Sequence, residues 1–294
     1  TNKNPLDSPV ELTVEKLLPG GQGLARLNGE VILLPDALPE EAVRAKMLGK
    51  IKGVKRGRIQ EVLKSSIFRR RPDCPWAGRC GGCDFIHVEP GEALSLKAEA
   101  ALGDLSRNYG LRPSLVESPR RERYRSRVTL HLALSSESRP RLGFFDADRN
   151  IIEINDCRLM APELEALLPP IRAWANVNKK LLPGPGREIE IAVMKDAVGS
   201  DTAVCFSPPP ADLVRGKTKE YRLGDDLMAA LNGLSTFLEA QGLKETAILA
   251  RPGRNAAPQR LFSGGPAFLT AAYWPEWDLS LKVRPGGFTQ VNPE

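Results

Sequence analysis

Three cysteines fall within ten residues, in Cys74-Pro-Trp-Ala-Gly-Arg-Cys80-Gly-Gly-Cys83, and a fourth stands apart in Asn155-Asp156-Cys157-Arg158. Thiolates are soft ligands, and four of them suit either zinc or an iron–sulfur cluster. Zinc sites usually pair two close C-x2-4-C knuckles, whereas C-x5-C-x2-C plus one distant cysteine is the three-plus-one spacing of cluster ligation. A cluster held by Cys74, Cys80, Cys83 and Cys157 is therefore favoured, with zinc as the second reading. Gly81 and Gly82 are expected to let the backbone fold tightly between ligands and aim amide N–H groups at sulfur. The total of five cysteines is odd, and the first twenty residues lack a basic stretch followed by an apolar one, so a disulfide framework is disfavoured. Cys205, in an apolar run, is expected to be a core thiol.

The second candidate chemistry is electrostatic. The chain has 42 Lys+Arg against 36 Asp+Glu, a formal net charge of +6, but the excess is uneven. Arg44 to Pro72 carries eleven cations and one acid, Glu61, and Pro119 to Arg127 carries five cations and one acid, Glu122. These segments hold a net +14, which leaves −8 for the remaining residues. Local excess of this kind is the footprint of a polyanion, because each neutralised phosphate releases a condensed counterion; a solvated basic face is the plain alternative. Arg44, Lys46, Lys55 and Arg56 are the candidate contacts in the first segment, and Arg123, Arg125 and Arg127 in the second. Alternation from Arg123 to Leu134 predicts one strand, with Tyr124, Val128, Leu130, Leu132 and Leu134 on one face. It would turn the three guanidinium groups the other way at about 6.6 Å spacing.

Other chemistries lack material. Only two histidines, His87 and His131, are present, and no Ser/His/Asp or paired-carboxylate set can be assembled. Gly20-Gly21-Gln22-Gly23 is not followed by the helix and acid of a nucleotide-binding loop and reads as a turn. No stretch approaches the roughly 18 apolar residues of a membrane span. From its residues alone the chain binds and does not visibly catalyse.

The elements that must position these residues follow from periodicity. Short strands at Val10–Leu18, Val31–Leu34, Val43–Lys52 and Lys55–Leu63, with a glycine turn at Gly20, Gly21 and Gly23, suggest a small closed five-stranded β-barrel. Val43, Ala45 and Met47 alternate with Arg44 and Lys46, so one face packs and the other presents cations. A polar joint at Lys64 to Pro72 leads to the cysteine run, and a helix over Glu92–Asn108 should end at Gly110. A hairpin of Leu142–Phe145 with Ile151–Ile154, helices at Ala161–Ala175 and Asp225–Ala240, and strands at Glu188–Met194, Ala203–Phe206, Thr246–Ala250 and Leu279–Val283 complete the pattern. Loops are expected at Pro208–Pro210 and Arg251–Pro258. The fold class is α+β. The domain expectation is a tail over 1–8, a barrel over 9–67, a cysteine-bearing α+β domain over 68–277, and the start of a further domain over 278–294. Beginning at Thr1 and ending without a closing helix, the chain reads as part of a longer protein.

Together these motifs resemble the S-adenosylmethionine-dependent RNA uracil-5-methyltransferases, in particular those of large-subunit (23S) ribosomal RNA that carry an iron–sulfur cluster. Residues 9–64 resemble the TRAM RNA-binding domain, including Gly20-Gly21-Gln22-Gly23 and Leu38-Pro39-Glu40-Glu41, where the family usually has Pro-Gly-Glu. Cys74, Cys80, Cys83 and Cys157 match the four family ligands of a 4Fe-4S cluster. Tyr124-Arg125-Ser126-Arg127, Gly143-Phe144-Phe145 and Ile154-Asn155-Asp156-Cys157 match central-domain blocks, and Phe288-Thr289-Gln290-Val291-Asn292 matches the block that opens the catalytic domain. The resemblance implies a cysteine nucleophile attacking uracil C6, methyl transfer from S-adenosylmethionine to C5, and a base removing the C5 proton. It places those catalytic residues in a C-terminal Rossmann-like domain outside this chain, leaving Gln290 as a cofactor contact and Phe288 near the target base. It further implies a cytoplasmic, non-membrane monomer that binds ribosomal RNA. The competing class is a non-catalytic RNA-binding or redox-sensing iron–sulfur protein.

Overall fold

In the computed structural model the described residues are 9–112, 114–146, 148–182, 188–195, 202–207, 213–215, 221–242, 246–250, 259–260, 269–277 and 279–283. The chain divides into two compact units, Thr1–Glu117 and Ser118–Glu294.

The first unit is built on strands β1 (Val10–Leu17), β2 (Gly23–Leu27), β3 (Glu30–Leu34), β4 (Ala42–Ile51) and β5 (Val54–Lys64). They close into a barrel in the order β1-β2-β3-β5-β4, the expected architecture. Alternation sorts its side chains: Leu12, Val14, Ala25, Ile32, Leu34, Val43, Ala45 and Met47 fill the interior. The glycine turn is shorter than the sequence suggests. Gly20 and Gly21 adopt positive φ (90° and 80°), but Gly23 already pairs with Leu34 at the start of β2.

Behind the barrel, Arg69 and Val88 form an isolated antiparallel bridge, with Arg70 N–H donating to His87 C=O (2.9 Å) and Glu89 N–H to Phe68 C=O (2.8 Å). This clasp closes the loop that holds the three cysteines. Helix α1 (Pro90–Tyr109) follows, with proline in its first turn and Gly110 in the left-handed conformation at its end (φ 68°). A second apolar cluster of Leu17, Leu38 and Val88, packed by Phe68, Phe85, Ala93, Leu96 and Ala100, joins barrel, loop and helix.

The second unit centres on a seven-stranded sheet of order β14-β13-β10-β9-β6-β7-β8. Its strands are β6 (Arg127–Leu134), β7 (Pro140–Phe145), β8 (Ile151–Glu153), β9 (Glu188–Lys195), β10 (Thr202–Ser207), β13 (Thr246–Ala250) and β14 (Gln259–Arg260). Pairing is antiparallel throughout except between β10 and β13. Small hairpins β11–β12 (Leu213–Arg215, Tyr221–Leu223) and β15–β16 (Leu269–Trp274, Leu279–Val283) stand outside it. One sheet face packs Val128, Leu130, Leu132, Ile191, Val193 and Phe206 against the helices, and Trp174 seals this core by donating its indole N–H to Ala230 C=O (2.8 Å).

Each of the two helices expected beyond the hairpin is split. Residues 161–175 form α2 (Pro162–Glu165) and α3 (Leu168–Val177), because Pro169 and Pro170 lack amide hydrogens and fit only a helix start. Residues 225–240 form α4 (Asp225–Asn232) and α5 (Leu234–Ala240), which part at Gly233. Cys205 is buried beside Ala192, Met194, Ala203 and Ala247 on the other sheet face, as expected. The expected loops at Pro208–Pro210 and Arg251–Pro258 lie outside the described residues. No described helix is long and apolar enough to cross a membrane.

Candidate functional site

The cysteine loop is anchored from below by one carboxylate. Glu41 has no solvent exposure, and both its oxygens are engaged: Oε2 accepts from Leu38 N–H (2.9 Å) and from Arg69 Nη2 (2.8 Å), and Oε1 accepts from Ser66 N–H (3.2 Å) and from Arg69 Nε. Arg69 also donates to Asp36 C=O (2.6 Å). Burial works against the Glu41 charge, but the Arg69 hydrogen bonds and the two amides outweigh it and hold the carboxyl below its ordinary value. Beside this pair, His87 is buried with neither ring nitrogen hydrogen-bonded; burial, then the Arg69 charge, lowers its pKa and keeps it neutral.

Within the loop, Cys74, Cys80 and Cys83 are half-buried and form no disulfide. Cys80 N–H donates to Trp76 C=O (2.8 Å), and the left-handed turn falls at Gly78 (φ 73°). Gly81 and Gly82 fold in a turn without positive φ, and a β-carbon on Gly82 would lie 3.4 Å from Cys80 Sγ. Gly21 is fixed from outside the loop: a β-carbon there would lie 2.9 Å from Asp84 Cβ and 3.0 Å from the Phe85 ring. The indole N–H of Trp76 is buried without a hydrogen-bond acceptor, so the loop combines soft donors with an orphaned N–H that a sulfide or thiolate could satisfy. Its donor chemistry fits a thiolate-held group. Among the described residues, however, no three Cys, His, Asp or Glu side chains converge on a metal position.

Cys157, in the second unit, is a free half-buried thiol on the turn between β8 and α2. Around that turn the expected arginine ladder is not formed. Strand β6 begins at Arg127, and Arg123 has φ 57°, outside extended geometry. The backbone of residues 123–125 is drawn away to the cysteine turn: Arg123 N–H donates to Arg158 C=O (2.8 Å) and Arg125 N–H to Leu159 C=O (2.8 Å). The Arg123 guanidinium pairs with Glu165 and reaches Cys157 C=O and Met160 C=O (both 3.5 Å). Arg125 is half-buried with Nε lacking a partner, and only Arg127 lies on the strand, half-buried. On β6, His131 stacks on Phe145 with ring centroids 3.9 Å apart.

The barrel cations are more evenly compensated than their sequence suggests. Arg44 pairs with Glu11 (2.9 Å) and Glu61, and Lys50 (3.2 Å) and Lys55 both pair with Glu30. Lys46 faces Arg58 across the β4–β5 ladder, and Lys50 faces Lys55. Arg56 is half-buried with Nε unpartnered. Like charges set opposite each other on a sheet repel, and Glu30 offsets that repulsion between Lys50 and Lys55. Phe288 and Gln290 lie outside the described residues. Sequence reading missed Glu41, Glu165 and Arg172, each of which acts on residues distant in the chain.

No protein-family model matches the chain. It is 34% identical over 178 residues to an uncharacterized RNA methyltransferase of Aquifex aeolicus, covering 60% of this chain and 41% of that protein. It is 28% identical over 293 residues to a 23S rRNA (uracil(1939)-C(5))-methyltransferase of Pseudomonas aeruginosa, covering 98% of this chain and 59% of that one. The fold is similar to that of the Pyrococcus abyssi tRNA (uracil-54, C5)-methyltransferase crystallised with S-adenosyl-L-homocysteine, at TM-score 0.60 and 17% identity over 96% of this chain and 61% of that one. The chain thus spans from about two-fifths to three-fifths of the length of these relatives. Along the residues that it shares with them, the chain is similar to proteins named as RNA uracil-C5 methyltransferases.

Proposed function

We propose that the protein is an S-adenosylmethionine-dependent methyltransferase that forms 5-methyluridine in large-subunit ribosomal RNA, and that residues 1–294 supply its RNA-gripping and cysteine-bearing part. The observation that carries this reading is the match over 98% of the chain to a 23S rRNA uracil-5-methyltransferase. The closed basic barrel supports it, and in this reading that barrel is the TRAM domain. Lys46, Lys55 and Arg56, with Arg44, Arg125 and Arg127, contact phosphate. Gln290 contributes to the cofactor pocket, Phe288 lies by the target base, and the catalytic cysteine is supplied outside these residues. Cys74, Cys80, Cys83 and Cys157 hold a 4Fe-4S cluster whose task is structural, since uracil methylation moves no electrons. The protein works as a cytoplasmic monomer.

Full-length protein should transfer labelled methyl from S-adenosylmethionine to unmodified 23S ribosomal RNA, with the label recovered as 5-methyluridine; label in any other nucleoside rejects the reaction. Lys46→Ala should flatten the salt dependence of RNA binding by about one phosphate contact. An unchanged slope assigns that strand to a merely solvated face. The purified protein should be brown and lose its visible absorbance on Cys80→Ser; a colourless protein with stoichiometric zinc overturns the cluster.

A further inference from the structure

We propose that Arg123 and Glu165 form a clasp that sets the Cys157 thiol, which makes them positioning residues for a thiolate ligand and removes Arg123 from the RNA contacts. The inference rests on the reading of Cys157 as a ligand. Its support is the way the two polar backbone groups of Cys157 are held: Glu165 Oε1 accepts the N–H (3.3 Å), while Arg123 Nη1 donates to the C=O (3.5 Å). The two side chains also pair with each other through Glu165 Oε2, so a single ion pair grips both sides of one residue.

The rest of the turn is braced to match. Arg172 donates to Ile154 C=O (2.9 Å) and to Asn155 Oδ1 (3.0 Å), and the Arg123 and Arg125 amides bind Arg158 C=O and Leu159 C=O, both at 2.8 Å. Arg123 accepts a left-handed backbone (φ 57°), a conformation that a non-glycine residue keeps only where its surroundings hold it. Glu165 comes from α2, the four-residue helix that Pro162 starts immediately after the turn. A ligand fixed before it binds loses less freedom on binding, and carboxylates and amides behind a ligand commonly supply that fixing. One nitrogen of Arg123, Nη1, reaches the Glu165 carboxylate and the Cys157 and Met160 carbonyls together.

The test reads each thiol separately. In metal-free protein under native conditions, alkylation of every cysteine is followed by mass spectrometry in the parent, Glu165→Gln, Arg123→Gln and Arg123→Lys. Loss of one or two hydrogen bonds should speed modification of Cys157 by roughly threefold to tenfold, with Cys74, Cys80, Cys83 and Cys205 unchanged. Because all three contacts come from one charged nitrogen, Arg123→Lys, whose ammonium has three donors, should stay nearer the parent than Arg123→Gln. Arg139→Gln, which breaks a surface pair with Glu153 (2.6 Å), is the control expected to change nothing. RNA binding by Arg123→Gln should keep the parent's salt slope. Parental Cys157 reactivity in Glu165→Gln, or a salt slope lowered by about one contact in Arg123→Gln, overturns the clasp. Purified protein with neither iron nor zinc overturns the ligand reading, and with it the proposal, even where the alkylation contrast is present.

Discussion

Glu41 has no solvent exposure, and it holds the end of the barrel to the start of the cysteine loop through Arg69, Leu38 and Ser66. Removing its charge strands a guanidinium, so Glu41→Gln should destabilise the first unit by about 3 kcal/mol in denaturant unfolding, the scale of a broken buried pair. Two buried groups of the first unit contribute to the pH dependence. His87 has a lowered pKa, so its contribution to stability is complete above its ordinary value of 6.5 and is lost as pH falls below it, because only the unfolded imidazole takes up the proton there. Glu41 is also lowered, and its contribution is lost in turn below 4.5. Thermal midpoints measured from pH 8 to 3 should therefore fall in two stages, and His87→Leu should abolish the first. A parental profile in that variant would assign the upper stage elsewhere.

Among the elements, glycines mark where chains approach too closely for a side chain. Gly143 of β7 pairs with Glu153 of β8, and a β-carbon on it would lie 1.7 Å from the carbonyl oxygen of the adjoining Ile152, so this glycine of the Gly-Phe-Phe block is a pairing requirement. Gly143→Ala should part that edge and cost at least about 2 kcal/mol, more than usual overpacking, in the unfolding of the second unit; a neutral result would mean that the edge shifts freely. The strands of the barrel and of the central sheet were legible because alternation and burial coincide, as at Val43, Ala45 and Met47. The strand expected from Arg123 fails for a physical reason. Its alternation continues, but the carbonyls of Arg158 and Leu159 capture the amides of Arg123 and Arg125.

On the scale of the whole molecule, the grouping of residues into units predicts which fragments fold. Residues 68–117 share a unit with the barrel, whereas the sequence reading begins a central domain at residue 68. A fragment of residues 9–117 should unfold in one cooperative transition, while 9–67 should be markedly less stable, since it buries Glu41 without Arg69 and leaves Leu17 and Leu38 without Phe68 and Val88. Equal stability of the two fragments in urea would show that the loop and α1 contribute nothing to the barrel. Charge is also a property of this scale. The cation-rich segment from Arg44 reads as almost uncompensated, yet the fold brings Glu11, Glu30 and Glu41 to Arg44, Lys50, Lys55 and Arg69.

Local order was within reach of the sequence. Alternation is set by the two-residue period of a strand and helix ends by proline and glycine, so the barrel, the β6–β8 strands and α1 could be read directly. What only the tertiary structure decided are the pairings between residues far apart in the chain: Glu41 with Arg69, Glu165 with Arg123 and the backbone of Cys157, and Gly21 against Phe85. Such contacts leave no periodic trace, because hydrogen bonds and steric limits act on distance in space. Through them, an arginine that reads as one cation in a basic run becomes the brace of a cysteine turn.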